Sequence, residues 1–258
     1  MGFDERRVHR FGGTERALHW LNAGAFSVML ATGLVLYLPF LAQAISARPL
    51  MKAVHLAAAC AWLTALLLVA ILGDRAALRR TRRQIECFDD DDLRWLRRRP
   101  ALQGRFNAGQ KAHAILQAAL AVLFTVSGAL LWLGERNTAL RFQGTIALHD
   151  VAMFIAGGLV LGHVYMAFAP ATRPALEGIL HGTVPADWAR QHHAKWKADP
   201  SPAPGFAGRR PPRPSRLALA VAVAVLGVGL AGTTLLIRDV LAGSARSGSD
   251  ATAQGVVR

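Results

Sequence analysis

The stretch "ALHDVAMFIAGGLVLGHVYMAF", residues 147–168, is apolar enough to lie in lipid, yet it contains two histidines, His149 and His163. A helix of about 20 apolar residues crosses the hydrocarbon core of a bilayer, which is about 30 Å thick. Ionisable residues are costly at that depth, so those that occur there usually serve a function. The stretch therefore predicts a transmembrane helix with a functional candidate near each end.

Four further segments have the same length and character, and 53% of the 258 residues are hydrophobic. The predicted membrane helices are residues 21–41, 53–73, 112–134, 146–168 and 217–237. In lipid, only helices or closed barrels satisfy the backbone hydrogen bonds, and these continuous runs do not alternate as barrel strands do. The expected fold is an all-α integral membrane helical bundle. Although "LAQA" at 41–44 resembles a signal cleavage site, the first apolar run exceeds a signal core of about 7–15 residues, so we expect an uncleaved anchor.

Two clusters contribute much of the net charge of +14, one before the first helix and one in the 74–111 segment. Few basic residues follow the first and third helices. By the positive-inside rule, the N terminus and the 74–111 segment are cytoplasmic, and five spans then put the C terminus in the periplasm. We interpret the basic clusters as topology signals that also contact lipid head groups, and not as a nucleic-acid interface.

Histidines at the predicted helices fall at two depths. With the N terminus inside, His55 and His149 lie on the outer side, whereas His163 lies on the inner side with either His19 or His113. His149 and His163 are two heptads apart, about 21 Å of helical rise, so they share nearly one face at opposite depths.

Paired histidines on facing helices favour haem. Two axial imidazoles can hold iron in a helical bundle with the porphyrin between them. A single histidine could equally be an interhelical hydrogen-bonding group, and zinc or copper would usually need further ligands close by. The cysteines, Cys60 and Cys87, form neither a disulfide framework nor a CxxCH site. Two b-type haems are the prediction, and small residues such as Thr32–Gly33 and Ser127–Gly128 would admit a macrocycle or simply pack helices.

Six sequence blocks, in order over residues 10–196, resemble the cytochrome b, or gamma, subunits of membrane-bound respiratory formate dehydrogenases. The blocks are "ERALHW" at 15–20, "VH" at 54–55, "RFNAGQK" at 105–111, "LHD" at 148–150, "HVYMAF" at 163–168 and "GTVPADWARQHHAKW" at 182–196. The histidines are shared more loosely with hydrogenase and thiosulfate reductase cytochromes b. The chain departs from the family at Phe106, where tyrosine is frequent.

The resemblance implies a four-helix dihaem cytochrome b core and a ligand set. His55 and His149 match the ligands of the outer haem iron, and His19 and His163 match those of the inner one. His113 matches no ligand and is left as an interfacial histidine near Lys111. The family subunit takes electrons from an iron-sulfur (beta) subunit that serves a formate-oxidising catalytic (alpha) subunit, and it reduces menaquinone or ubiquinone at the cytoplasmic side of the bacterial inner membrane.

The resemblance also implies a quinone pocket around Asn107, Gly109 and Gln110, whose amides suit quinone carbonyls. Without the family, the same residues indicate only a helix start capped by Asn107. Candidate partners for the haem propionates are Arg16, Arg48 and Lys52, each of which could also be a topology charge.

The predicted organisation is a dihaem domain over 1–196, a Pro/Arg-rich cytoplasmic linker over 197–216, a fifth transmembrane helix over 217–237 and a periplasmic tail over 238–258. The fifth helix has two pairs of small residues at four-residue spacing, Ala218 with Ala222 and Gly227 with Ala231, and it either docks the periplasmic partner or faces lipid. Two alternatives to the formate dehydrogenase function remain. The chain could serve a hydrogenase or another respiratory oxidoreductase, or it could be a haem-free membrane anchor.

Overall fold

The computed structural model of the protein describes residues 7–197 and 214–255, with side chains for 7–197 and 214–242. Within these residues, five helices are long and apolar enough to cross a membrane, which confirms the predicted all-α bundle with five spans. The spans are Gly13–Tyr37, Arg48–Leu72, Ala108–Gly134, Thr145–Phe168 and Arg216–Ala242. Most of the predicted linker lies outside the described residues.

The first membrane helix ends earlier than predicted. Helix α1 (Gly13–Tyr37) stops before Pro39, and a separate helix α2 (Pro39–Ile45) follows. Leu38 between them has extended backbone angles, φ −90° and ψ 115°. Proline lacks an N–H and disfavours the helical conformation of the preceding residue, so the predicted continuation to residue 41 is wrong.

Helix α3 (Arg48–Leu72) has Gly73 as its C-cap, and the charged segment after it is also helical. Helix α4 (Arg75–Glu86) is capped by Asp74, whose side chain accepts a hydrogen bond from the Ala77 N–H at 2.9 Å. Helix α5 (Asp90–Leu96) begins with a reciprocal capping box between Asp89 and Asp92. These caps satisfy backbone donors that the first turn of a helix leaves unpaired.

Helices α6 (Ala108–Gly134) and α7 (Thr145–Phe168) are the third and fourth spans, and a short 3-10 turn, Thr138–Leu140, lies between them. They pack against each other along their lengths. The linking segment turns back closely, because a Cβ on Gly134 would lie 3.2 Å from the backbone of Arg141.

A small cap outside the membrane spans is formed by residues before α1 and residues after α7. It comprises strand β1 (Arg7–His9), helix α8 (Pro174–His181), strand β2 (Thr183–Pro185) and helix α9 (Ala186–His192). The strands are antiparallel, with Val8 opposite Val184. The core of the cap contains Val184, Trp188 and Ala189, against which Val8, Ala175 and Trp196 pack.

Helix α10 (Arg216–Gly255) contains the fifth span and packs extensively along α3. It continues past residue 237, the end that the sequence predicted. Ala218 is half-buried and Ala222 is buried on this helix, whereas Gly227 and Ala231 are exposed, so whether that second pair contacts a partner or lipid stays a prediction. A Cβ on Gly229 would overlap the side chain of Thr64, so the two backbones approach closely there.

The chain forms two compact units. One unit contains the residues up to Arg16, helices α4 to α9 and both strands. The other contains α1 from Ala17 onward, α2, α3 and α10.

Candidate haem and quinone sites

His55 on α3 is held by a threonine of α1. Its Nδ1 atom lies 2.9 Å from Oγ1 of Thr32, a buried residue. The same hydroxyl lies 2.8 Å from the carbonyl oxygen of Val28. A hydroxyl has a single proton. Since the carbonyl can only accept, Thr32 donates that proton to Val28 and accepts a hydrogen bond from Nδ1–H of His55.

His149 on α7 has the same arrangement with a serine of α6. Its Nδ1 atom lies 2.8 Å from Oγ of Ser127, and that hydroxyl lies 2.7 Å from the carbonyl oxygen of Leu123. The neighbouring Gly128 leaves room for the ring, because a Cβ there would lie 3.6 Å from Cε1 of His149. Ser127 therefore also accepts from an Nδ1–H group.

Both hydroxyls select one tautomer, with hydrogen on Nδ1 and the lone pair on Nε2. A neutral imidazole with its lone pair on Nε2 is the form that ligates a metal, and a hydrogen bond from the other ring nitrogen is the usual means of orienting such a ligand. The donor chemistry of His55 and His149 thus fits haem iron.

The inner histidines have different surroundings. His163 on α7 stacks on His113 of α6, with ring centroids 4.9 Å apart and an interplanar angle of 13°. His113, which the resemblance leaves without a role, is therefore a direct neighbour of a predicted ligand. His19 on α1 packs edge-on against Trp20, with ring centroids 5.3 Å apart.

Asn107 and Gln110 form the capping box that starts α6. Asn107 Oδ1 accepts from the Gln110 N–H at 2.9 Å, and Gln110 Oε1 accepts from the Asn107 N–H at 3.1 Å. The capping role predicted for Asn107 from the residues alone is confirmed. Both carbonyl oxygens serve the helix start, so the side-chain NH2 groups are the donors suited to a ligand.

Gly109 makes a close approach possible, and the group that approaches is Trp95. A Cβ on Gly109 would lie 2.8 Å from the edge of the Trp95 indole. The indole thus lies directly beside the first turn of α6. Quinone contact by Asn107, Gly109 and Gln110 stays a prediction.

Two of the three predicted propionate partners bind backbone carbonyls near helix ends. Arg16 Nε donates to the carbonyl of Ile179 at 3.0 Å, and its Nη2 donates to that of Leu180. Arg48 Nη1 donates to the carbonyl of Leu36 at 3.1 Å. Lys52 is half-buried on α3. Such contacts satisfy the unpaired carbonyls of a last turn, and the propionate assignment stays a prediction.

A buried arginine and histidine bind the segment before Asn107 to the cap. His193 Nδ1 lies 2.6 Å from the carbonyl oxygen of Gly104, and Arg10 Nη2 lies 3.3 Å from His193 Nε2 and 3.0 Å from the carbonyl oxygen of Arg105. Burial, and then the Arg10 charge, lower the pKa of His193 to about 4. Burial and Arg105 lower the pKa of Arg10 to about 10.

Sequence reasoning missed the roles of Thr32, Ser127 and His193. The sequence indicates the first two only as small neighbours of a macrocycle, and it assigns no separate role to His193. The available signal for Thr32 and Ser127 was a hydroxyl on a membrane-spanning helix at the depth of a histidine.

Comparison with known proteins gives one family and several relatives. The family described as prokaryotic cytochrome b561 matches residues 10–182. A Haemophilus influenzae protein named formate dehydrogenase, cytochrome b556 subunit, is 23% identical over 205 residues, which cover 75% of this chain and 83% of the relative. The Escherichia coli cytochrome b556(fdo) subunit is also 23% identical over 205 residues, covering 73% of this chain and 91% of the relative.

A third relative is the nitrate-inducible cytochrome b556(Fdn) subunit of Escherichia coli formate dehydrogenase. It is 28% identical over 98 residues, which cover 36% of this chain and 43% of the relative. The family match extends over more than half of the chain and includes all four histidines predicted as haem ligands. The chain therefore belongs to the prokaryotic cytochrome b561 family.

Proposed function

We propose that the chain is the membrane-anchoring cytochrome b subunit of a formate dehydrogenase complex. It would pass electrons from a periplasmic iron-sulfur (beta) subunit through two b haems to quinone on the cytoplasmic side, while a catalytic (alpha) subunit oxidises formate. Membership of a b-type cytochrome family makes haem b the cofactor of this multi-pass membrane protein. The three relatives, all named as formate dehydrogenase subunits, support the choice of complex.

The observation that carries the proposal is the matched hydrogen bonding of His55 and His149. In each, Nδ1 lies within hydrogen-bond distance of a hydroxyl that also bonds the carbonyl four residues earlier, an arrangement that favours a proton on Nδ1 and a free lone pair on Nε2. We assign these two histidines to the outer haem iron, and His19 with His163 to the inner one. Haem supplies one-electron transfer, and the protein supplies ligation, orientation and an apolar environment.

Quinone, either menaquinone or ubiquinone, would bind at the first turn of α6. The NH2 groups of Asn107 and Gln110 would donate to a quinone carbonyl, while their oxygens keep the helix start. Gly109, which the Trp95 indole already approaches closely, would help to form the pocket by placing that indole beside the helix start as one wall. Arg16, Arg48 and Lys52 are the proposed propionate partners.

The proposed location is the bacterial inner membrane, with the N terminus in the cytoplasm and the C terminus in the periplasm. The unequal distribution of basic residues supports this orientation. It puts the first turn of α6 and the cap on the cytoplasmic side, where quinone reduction would take up protons.

A reduced-minus-oxidised spectrum of the purified protein tests the proposal. We expect a b-type alpha band, two haems per chain and reduction by formate when the hydrophilic subunits are present. A protein expressed with ample haem that shows no alpha band would overturn the proposal in favour of a haem-free anchor. Reduction by hydrogen with its own catalytic subunit, but not by formate, would instead assign the chain to a hydrogenase.

A further inference from the structure

A buried ion pair lies at the first turn of α6, beside the proposed quinone site. Lys111 Nζ is 2.6 Å from Oδ2 of Asp92 and 2.8 Å from the carbonyl oxygen of Cys87. The exposed fractions of the two side chains are 10% and 3%. Burying such a pair costs much of what its attraction returns, so stability alone is a weak reason for it.

Charged groups connect this ion pair to water. In the capping box of α5, the Asp92 carboxylate accepts from the backbone N–H of Asp89 and the Asp89 carboxylate accepts from that of Asp92, both at 3.0 Å. Asp89 Oδ2 is 2.9 Å from Nζ of Lys195, which also pairs with Asp91. Side-chain exposure falls from 56% at Asp89 to 3% at Asp92. The groups therefore lead from solvent to the buried Lys111 ammonium.

The outer part of this series stays ionised near neutral pH. Hydrogen bonds from Lys195 and from the Asp92 backbone lower the pKa of Asp89 to about 2, and the two carboxylates raise the pKa of Lys195. Another charged group at this end is Arg94, which lies 3.5 Å from Asp91. The ammonium nitrogen of Lys111 lies 5.4 Å from the ring centroid of Phe88.

Lys111 follows Gln110 directly, and its backbone N–H bonds to the carbonyl of Asn107 at 3.0 Å. It is thus in the same helical turn as both amides proposed to hold quinone. Reduction of a quinone to quinol takes two electrons and two protons, and the protons must cross from water to a site that is apolar by nature. The lysine is the buried proton donor next to the proposed site.

We propose that Lys111 donates a proton to the quinone, and that a proton from the cytoplasm, entering past the charged Asp89–Lys195 pair, returns to Lys111 by way of Asp92. The step breaks an N–H bond of the ammonium and forms an O–H bond on the quinone oxygen, while the electrons come from formate oxidation through this subunit. The neutral amine then takes a proton that enters by way of the Asp92 carboxylate. Two such transfers complete the quinol. The inference rests on the proposed function.

Lys111→Arg separates proton transfer from ion pairing. Arginine keeps the positive charge and can bind Asp92, but it does not give up its proton in proteins. If Lys111 only holds α5 against α6, the arginine variant should behave as wild type. If it donates protons, Lys111→Arg and Lys111→Met should both be slow. Lys197→Arg, at an exposed lysine of the same chain, is the matched control.

The experiment uses the whole complex, reduced with formate and mixed with ubiquinone-1, with haem reoxidation followed in the alpha band at several pH values. We expect Lys111→Arg to slow reoxidation about 100-fold, as loss of a general acid does. The quinone KM and the formate-driven reduction of haem should be unchanged, and the slowed rate should rise as pH falls. Asp92→Asn should be slow in the same way, and it decides the question if Lys111→Met does not fold.

Three outcomes would overturn the inference. Wild-type reoxidation in Lys111→Arg, or a raised KM with unchanged kcat, would assign the pair a positioning role only. A pH-independent defect would exclude proton donation. If quinone does not reoxidise the haems of the wild-type complex, the proposed function fails and the inference fails with it. This outcome is distinct from a defect confined to the Lys111 and Asp92 variants, which concerns proton transfer alone.

Discussion

The smallest decisive feature is a hydroxyl proton. Thr32 and Ser127 each donate to the carbonyl four residues earlier and so must accept from a histidine ring. That arrangement fixes the tautomer of His55 and His149 before any iron binds. Preorganisation of this kind lowers the cost of ligation, because the ring does not need to exchange its proton or rotate.

Removing these hydroxyls should weaken the outer haem selectively. We expect Thr32→Val and Ser127→Ala to lower its affinity about 10- to 100-fold, the usual effect of losing such an orienting contact. Titration with haem, together with the alpha band and potential of each centre, measures the change. Thr32→Ser should retain binding, and Thr125→Val, which removes a hydroxyl bonded to the Ala121 carbonyl of its own helix, is the control. Equal loss at both haems would contradict the prediction.

His193 should make the cap sensitive to acid. Its pKa falls from an ordinary 6.5 to about 4 in the folded protein, so the folded state binds fewer protons than the unfolded state. Stability is therefore full above pH 6.5 and is lost as pH falls toward 4, by about 3 kcal/mol at most.

Hydrogen exchange of residues 183–196, corrected for intrinsic rates, measures this effect. Protection in the wild type should fall between pH 6.5 and 4, and His193→Gln should flatten that dependence. His192→Gln is the control, because His192 lies beside it but is exposed. An unchanged slope in His193→Gln would refute the assignment.

At the scale of elements, the start of α6 combines two roles, helix capping and the proposed binding of quinone. Asn107 caps the helix with its side-chain oxygen, and its NH2 group is proposed to hold quinone. Serine caps a helix about as well as asparagine but has no amide. Substitution of Asn107 therefore separates the capping role from the quinone-binding role.

Asn107→Ser should raise the quinone KM while leaving thermal stability near that of wild type. Asn107→Ala should both raise KM and destabilise the helix start by about 1 kcal/mol. Steady-state kinetics and a thermal melt of the detergent-solubilised complex distinguish the two. A wild-type KM in Asn107→Ser would leave the residue as a cap only.

Helix α10 depends on small residues where it meets α3. A side chain at Gly229 would overlap Thr64, whereas a Cβ at Gly227 meets nothing within 4 Å. We expect Gly229→Val to destabilise the protein by about 1–3 kcal/mol through overpacking, and Gly227→Val to have little effect. Melting temperatures of both variants in one detergent test the difference. Equal melting temperatures would mean that α10 packs loosely.

At the scale of the whole molecule, the fifth helix is the part that the resemblance does not explain. Helix α10 packs along α3, the helix that carries His55. We hypothesise that α10 supports that helix and helps to dock the periplasmic partner, in place of, or in addition to, an anchor of the iron-sulfur subunit.

Ending the chain after Lys197 removes α10. We expect the truncated protein to lose outer haem and to hold its hydrophilic subunits less firmly at the membrane. Haem content and membrane retention of formate dehydrogenase activity measure both effects. A truncated protein that keeps both haems and its partners as strongly as the full chain would reduce α10 to a peripheral helix.

The sequence by itself determined the membrane spans, the cap at Asn107 and the histidines worth testing. Spans depend on apolar residues adjacent in the chain, and a cap depends on residues three positions apart, so both are local. Even so, the end of the first helix was misplaced, because the breaking effect of Pro39 outweighed the continuing apolar run.

Only the tertiary structure decided which groups meet. The Thr32–His55 and Ser127–His149 hydrogen bonds, the His113–His163 stack and the Asp92–Lys111 ion pair all join residues from different helices. Such contacts depend on how each helix is rotated and where two helices cross. Rotation and crossing follow from side-chain packing over whole helices, and apolar spans that are hydrophobic on every side leave no periodic signal of it in the sequence.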